Sequence, residues 1–529
     1  METAIKYVAA LNVDQRLVKC FIYALFRDTS RIEVVGSAIE QIEFLHPATG
    51  REEIDPVKLW NSVQNTIKAA IAEANLTAAQ IAFIAISSHR GSFTCWNRSS
   101  GTAYHNFITA QDLRADHMVK DCNGRLLFRA FKASACLLYC VTKSQRYLSQ
   151  SVFNVTSAHV TMRLAWLLEN CPGLQQDLKQ GDVVYGTIDA WLLFHLRKGV
   201  DADKEIEHIS DITNCAASGF YDPFTQEWTE WATMLYPIKR SILPTVVTNS
   251  FDFGYVHPSL FGSSIKIGTS ISDTSAALWG NCCFDRTDLY IRMDTTAVVN
   301  IITRSTCLAS VRGMSTGIGY KHSNGNQHEI VYVLEETSTE CTTVIDWGIK
   351  IGLFADYREA STLACSVSDS NGVFFVSEFN VLGRCDITAG SSFVGIKKAT
   401  RKEHLVRALL ESMVYRIALL YVSAHKEILN QSLEPFSTIK VDGSVAQNDF
   451  ICQMLADITS LPVERGDVAD ASALGAVLLA GLNVNVWTSK NELIQVRKVD
   501  KIFLPSPNSK LKLLRSMRCW EELVEKFKG

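Results

Sequence analysis

The stretch "ISDTSAALWG", residues 271–280, sets a carboxylate, Asp273, where a strand-like run gives way to a small-residue helix. An aspartate at such a junction faces the positive end of the helix. Two roles suit it. It caps the helix, or it presents its carboxylate to whatever cleft lies at that helix end. Two further segments carry residue types that hold anions. "ALNVDQRLVK", residues 10–19, is a polar turn between the apolar runs Tyr7 to Leu11 and Val18 to Tyr23, at hairpin distance. "VDGSVAQND", residues 441–449, is a strand followed by Gly443, Ser444 and Asn448. Turns of this kind cradle phosphate when glycine lets backbone N–H groups approach the anion. The first turn has no glycine. Asn12 stands where a cation-holding carboxylate would serve and Asp14 where glycine would, with Arg16 and Lys19 as nearby cations. By itself the segment reads either as a surface hairpin or as an altered phosphate cradle.

The elements that must position these groups follow from periodicity. Trp60, Val63, Ile67 and Ile71 share one helical face behind the Asp55-Pro56 start signal, and Ile81 to Ile86 then reads as a buried strand. Leu405, Leu409, Met413 and Ile417 form a second stripe, followed by the strand Thr438 to Val441. Ala473 to Gly481 is a small-residue helix suited to close packing on a sheet. Short apolar runs alternating with helical segments predict an α/β fold. At 529 residues the chain exceeds one core, and the looser echo between its halves predicts two similar lobes, residues 1–256 and 257–529. The break is expected near 250–260, and segment 366–395 has no assignable pattern.

Composition narrows the function. Net charge is −3, so no global field favours nucleic acid or an anionic membrane. No stretch approaches the roughly 18 to 20 apolar residues of a membrane span, and the N-terminal residues do not read as a secretory signal. Fifteen cysteines without paired spacing read as reduced thiols of a cytoplasmic protein, with Cys282 and Cys283 as neighbouring buried thiols.

Nine segments then appear in a telling order: "EIDPVKLW" (53–60), "SSHRGSFTCWN" (87–97), "HNFITAQDLRA" (105–115), "YGTIDAWLLFHLRKG" (185–199), "FYDP" (220–223), the Asp273 stretch, "HLVRALLESMVYR" (404–416), "VDGSVAQNDFICQMLAD" (441–457) and "ASALGAVLLAGL" (471–482). Together they resemble the FGGY carbohydrate kinases, and within them the glycerol kinases. The resemblance implies two ribonuclease-H-like lobes of the actin, hexokinase and heat-shock-protein type, closing over a cleft where ATP and Mg2+ meet a small polyol. It implies Asp273 as the catalytic base, with Arg90, Asp273 and Thr274 on the substrate. Asn12, Arg16, Thr295, Gly443, Ser444 and Asn448 then fall on the cofactor side, with Asp470 in place of the usual glutamate. No nucleic acid is implied; a homo-oligomer, or pairing with another glycerol kinase, stays open. Glu411 and Arg416 are expected to form a structural ion pair.

The departures from the family pattern set a second expectation. The first phosphate motif has Asn12 for its magnesium-organising aspartate and Asp14 among its glycine and hydroxyl positions; the second, Gly-Thr-Gly in the family, reads Asp294-Thr295-Thr296. A unit negative charge about 5 Å from a phosphate, at an effective dielectric near 20, opposes it by roughly 3 kcal/mol. The acceptor side also differs: Gly91 follows Arg90, Ala110 precedes Gln111-Asp112, and Thr274 replaces a glutamine. The chain is therefore expected to be a kinase of reduced turnover, or a relative that has kept the fold for binding or regulation.

Overall fold

The structure, a computed structural model, describes residues 5–26, 31–201, 204–324, 327–338, 341–377, 390–507 and 509–527. The first half contains β1 (Ile5–Val13), β2 (Leu17–Phe26), β3 (Arg31–Gln41), α1 (Pro56–Glu73), β4 (Ile81–Ser88), α2 (Leu126–Thr142), α3 (Gln145–Val152), β5 (Tyr255–Val256) and β6 (Ile265–Ser272), which runs directly into α4 (Asp273–Gly280). The second contains β7 (Asp288–Met293), β8 (Ala297–Arg304), β9 (Ser315–Asn324), β10 (Gln327–Ser338), α5 (Lys402–Asn430), β11 (Thr438–Asp442), α6 (Asp449–Thr459), β12 (Val463–Gly466), α7 (Ala471–Asn483) and β13 (Val499–Phe503). Local chemistry starts these elements where the sequence marks them. Asp55 caps α1 through the N–H groups of Val57 and Lys58, at 2.8 and 3.2 Å.

Two sheets organise the chain, in the orders β5-β6-β4-β1-β2-β3 and β9-β10-β8-β7-β11-β12-β13. Each contains the same arrangement. An antiparallel meander (β1, β2, β3; β7, β8, β10) lies beside two parallel strands (β4, β6; β11, β12). The two sheets thus repeat one topology, in which β1 corresponds to β7 and β4 to β11. The hairpin register pairs Val13 with Val18, leaving residues 14–17 as the turn.

Three details differ from expectation. The chain leaves the first sheet only after Ser272, because the polar residues at 249–254 precede another pair of strands of that sheet, β5 and β6. Glu411 pairs with Arg407, four residues upstream, at 2.8 Å. Arg416 lies five residues on, about 140° around the helix, and donates instead to the Ser377 carbonyl. Within 366–395, Phe374–Val376 and Ser392–Val394 form a short antiparallel pair, whereas 378–389 lie outside the described residues.

The element that fixes the geometry of the centre is α7. It returns to the first sheet and buries Ala473, Ala476 and Ala480 in one core with Val8, Ala10, Phe83, Ala85 and Ile271. It also lies against α4, backbone to backbone. A Cβ on Gly475 would stand 1.7 Å from the Ala276 carbonyl oxygen, and one on Gly280 would stand 2.1 Å from that of Ala471. Only glycine permits this approach, which presses the C-terminal half of α4 against the first turns of α7. Gly475→Ala is therefore expected to destabilise the protein by about 3 kcal/mol in chemical denaturation. Gly173→Ala, where nothing lies within 4 Å of the added carbon, serves as the neutral control. Equal midpoints for the two variants would rule out the backbone contact.

Candidate active site

A cleft of about 1290 Å³ lies between the sheets. Arg16, Arg90, Asp273, Thr274, Thr295, Gly443 and Ser444, all singled out from the sequence, line it. Asn12 and Asn448 do not. Asn12 is buried, its carboxamide donating to both oxygens of Asp470 at 3.1 Å and accepting from the Ser87 hydroxyl at 2.9 Å. Asn448 is also buried; it caps α6 at the Ile451 N–H, 3.2 Å, and donates to the Tyr357 carbonyl at 3.1 Å.

Asp14 answers the question posed by the first turn. Its Oδ1 accepts from the backbone N–H groups of Arg16 and Leu17, both at 2.8 Å, and its Oδ2 pairs with Lys19 at 2.6 Å. The amides that a glycine turn would offer to an anion are thus occupied by a side chain of the same turn. Lys19 also pairs with Asp470 at 2.9 Å, and Asp470 caps α7 at the Ala473 N–H, 2.8 Å. Burial alone would depress the lysine, but Asp470 and Asp14 outweigh it and hold the ammonium above its ordinary range.

In the second hairpin the carboxylate reaches another loop instead. Asp294 Oδ1 accepts from the Ser444 N–H at 2.8 Å and from its hydroxyl at 2.9 Å, while Oδ2 accepts from Arg292 Nε at 3.1 Å. Burial would raise this carboxyl; Arg292 and Ser444 together hold it below the usual carboxylate range. Gly443, at φ +96°, is needed by the turn itself, since a Cβ there would meet the Met293 carbonyl oxygen at 2.3 Å.

Asp273 is the first residue of α4, behind the cap position held by Ser272. Its Oδ1 accepts from the Thr274 N–H at 2.7 Å and its Oδ2 faces Arg292 Nη1 at 3.4 Å. Its carbonyl accepts from Ser472 Oγ, at the start of α7, at 2.8 Å. Arg90 reaches Thr274 Oγ1 at 3.4 Å and clasps Glu335 of β10 through Nη2, at 2.7 and 2.8 Å. A carboxylate flanked by two guanidinium groups at a cleft wall can accept a proton from a bound hydroxyl and keep its own charge balanced.

Arg292 and Glu335 were not foreseen as site residues. Arg292 was legible, because it stands two residues before Asp294 on a strand and so shares its face. Glu335 meets Arg90 across 245 residues of chain, and no local pattern announces that.

The residues present do not fit a prepared magnesium site. Asp14 and Asp470 are joined to Lys19, Asp273 and Asp294 to Arg292, and Asn12 offers an amide already engaged on both atoms. Among the described residues no cluster of three or more His, Cys, Asp or Glu is placed to hold a metal.

Asp442, at the end of β11, accepts from Tyr290 Oη at 2.8 Å and Asn281 Nδ2 at 3.2 Å. Burial pushes its carboxyl up to about 7, against the pull of Arg292 and the Tyr290 hydroxyl. A carboxyl raised in the folded state stabilises the fold below its unfolded pKa, and that contribution is lost as pH rises towards 7. Asp442→Asn should flatten the fall of the thermal midpoint between about pH 4 and pH 7 relative to the parent. Parallel pH profiles for the two proteins would refute this.

Comparison with known proteins places this geometry in a family. The N-terminal domain model of the FGGY family of carbohydrate kinases matches residues 23–280 and the C-terminal domain model residues 289–484. Glycerol kinase 5 of Bos taurus is 35% identical, covering 94% of this chain and 91% of its own. That of Homo sapiens is 34% identical, covering 98% and 95%. The crystal structure of Plasmodium falciparum glycerol kinase with ADP superposes with a TM-score of 0.82 at 24% identity, covering 99% of this chain and 98% of that one. The two lobes expected from the sequence are thus lobes of the actin and hexokinase type. This chain belongs to the FGGY family of carbohydrate kinases.

Proposed function

We propose that the protein transfers a phosphoryl group from ATP to glycerol or a similarly small polyol, with Asp273 accepting the proton of the attacking hydroxyl. The observation that carries this reading is the placement of Asp273 on the cleft wall between Arg90 and Arg292. An alcohol is a poor nucleophile near neutral pH, and a fixed carboxylate relieves it of its proton as the bond to phosphorus forms. Arg90 retains guanidinium donors beyond the Nη2 taken by Glu335, and these suit a polyol hydroxyl. In this reading the lobe ending with α4 binds the polyol and the lobe from β7 onward binds the nucleotide.

Nucleotide binding is weak on this reading, because two carboxylates compete for the groups that would hold phosphate. Asp14 occupies the amides of the first turn and Asp294 the Ser444 N–H. The same observation favours a second reading, a relative without turnover that keeps the fold for regulation. A phosphotransfer assay over a panel of small polyols separates them. Turnover that falls at least 100-fold in Asp273→Asn, with an unchanged thermal midpoint, is expected of the kinase. Turnover equal in parent and variant removes Asp273 from the chemistry, and no transfer to any polyol leaves the regulatory reading. Asp294→Gly is expected to tighten ATP binding about tenfold by calorimetry, the effect of removing part of one opposing charge. An unchanged affinity would mean that the carboxylate does not compete with phosphate.

A further inference from the structure

Outside the cleft, α2 is the least covered helix of its length. Of its 17 residues only Phe128 and Ala135 are buried. Leu126, Leu137 and Val141 are 81%, 70% and 84% exposed, and Leu127 and Leu138 are exposed beside them. At 100° per residue these five side chains fall within about 120° of the helix circumference, a continuous apolar strip roughly 25 Å long facing away from the protein. An exposed apolar surface of this extent marks a site of interaction.

The charge around it identifies the occupant. Between Asp121 and Glu169 the sequence has no carboxylate and six Arg and Lys residues, Arg125, Arg129, Lys132, Lys143, Arg146 and Arg163. Arg163 is buried and Arg146 is paired with Asp222 at 2.8 Å. Arg125, Arg129 and Lys143 are exposed at the ends and along one flank of the apolar strip, in no ion pair among the described residues. The nearest carboxylates in sequence, Asp116 and Asp121, lie on the preceding helix, and Asp116 is taken by Lys120 at 2.7 Å. A second copy of the chain fits poorly, since a two-fold contact would set these cations against their own images. An apolar strip with a basic flank matches an anionic lipid surface, where leucines enter the acyl boundary and guanidinium and ammonium groups meet the headgroups.

We propose that α2 seats the protein on anionic membrane surfaces, lying in the interface plane without crossing it. No helix among the described residues is long and apolar enough to cross. α3, which follows directly, contributes Ser149 and Val152 to the cleft lining, so docking places one wall of the cleft next to the lipid headgroups.

The test is sedimentation of the full chain with phosphatidylcholine vesicles, with and without phosphatidylserine. Binding to the anionic vesicles is expected, roughly tenfold weaker on neutral ones, and reduced by salt at about 0.5 M. The double variant Leu127→Glu/Leu137→Glu should lose sedimentation, and Arg129→Glu/Lys143→Glu should lose the preference for phosphatidylserine. Both alter exposed residues, so their thermal midpoints should match the parent's. Equal binding to neutral and anionic vesicles, or binding unchanged in the leucine variant, overturns the proposal. So does absence of vesicle binding. In that case a concentration-dependent dimer broken by Leu137→Glu assigns the face to a second copy, and a monomer assigns it to an acidic protein partner.

Discussion

The site rests on a partly buried ion cluster that ties the first hairpin to the last helix of the core. Lys19 of β2 stands between Asp14 and Asp470, and Asn12 of β1 holds the other face of the same Asp470. Because Asp470 is also the cap of α7, the cluster fixes that helix in place along its axis. With Gly475 and Gly280 bringing α7 against α4, the position of Asp273 follows. An asparagine at position 12 suits this junction. A carboxylate there would stand directly against Asp470 with one lysine to balance three acids, an arrangement that low dielectric penalises.

The same logic runs through the cleft. Arg292 balances Asp273 and Asp294, Arg90 balances Glu335, and Asp442, which lacks a direct cationic partner among the described residues, holds its proton more tightly. Carboxylates in the two corresponding hairpin turns close onto the amides nearest them. Lys19, Arg90 and Arg292 on the cleft wall are thus engaged by the protein's own carboxylates.

Much of the fold was legible because its signals are local. The hairpin at 10–19, the helix opened by Asp55, the strand read at 81–86 and the small-residue helix read at 473–481 follow from periodicity and caps that involve neighbours in sequence, and each lies within an observed element. What stayed hidden depends on distance along the chain. Lys19 meets Asp470 across 451 residues and Arg90 meets Glu335 across 245, so residue type alone could not say that these cations are taken. The lobe boundary was misjudged for a related reason, since polar residues at 249–254 mark a loop whether or not the following strands rejoin the same sheet. Whole-chain charge also hides how charge is distributed along the chain. A net charge of −3 conceals a segment of nearly fifty residues without one carboxylate.

The return of α7 to the first sheet has a consequence for how the chain is made. Strands β1, β4 and β6 are all made before α7, yet part of the surface that covers their face is supplied by residues beyond 470. Until the ribosome has released that segment, Phe83, Ile271 and their neighbours lack their native cover, and closing so long a loop delays the contact further. The first lobe is therefore a nascent chain with an unfinished core, in need of a chaperone's shelter or of quick completion.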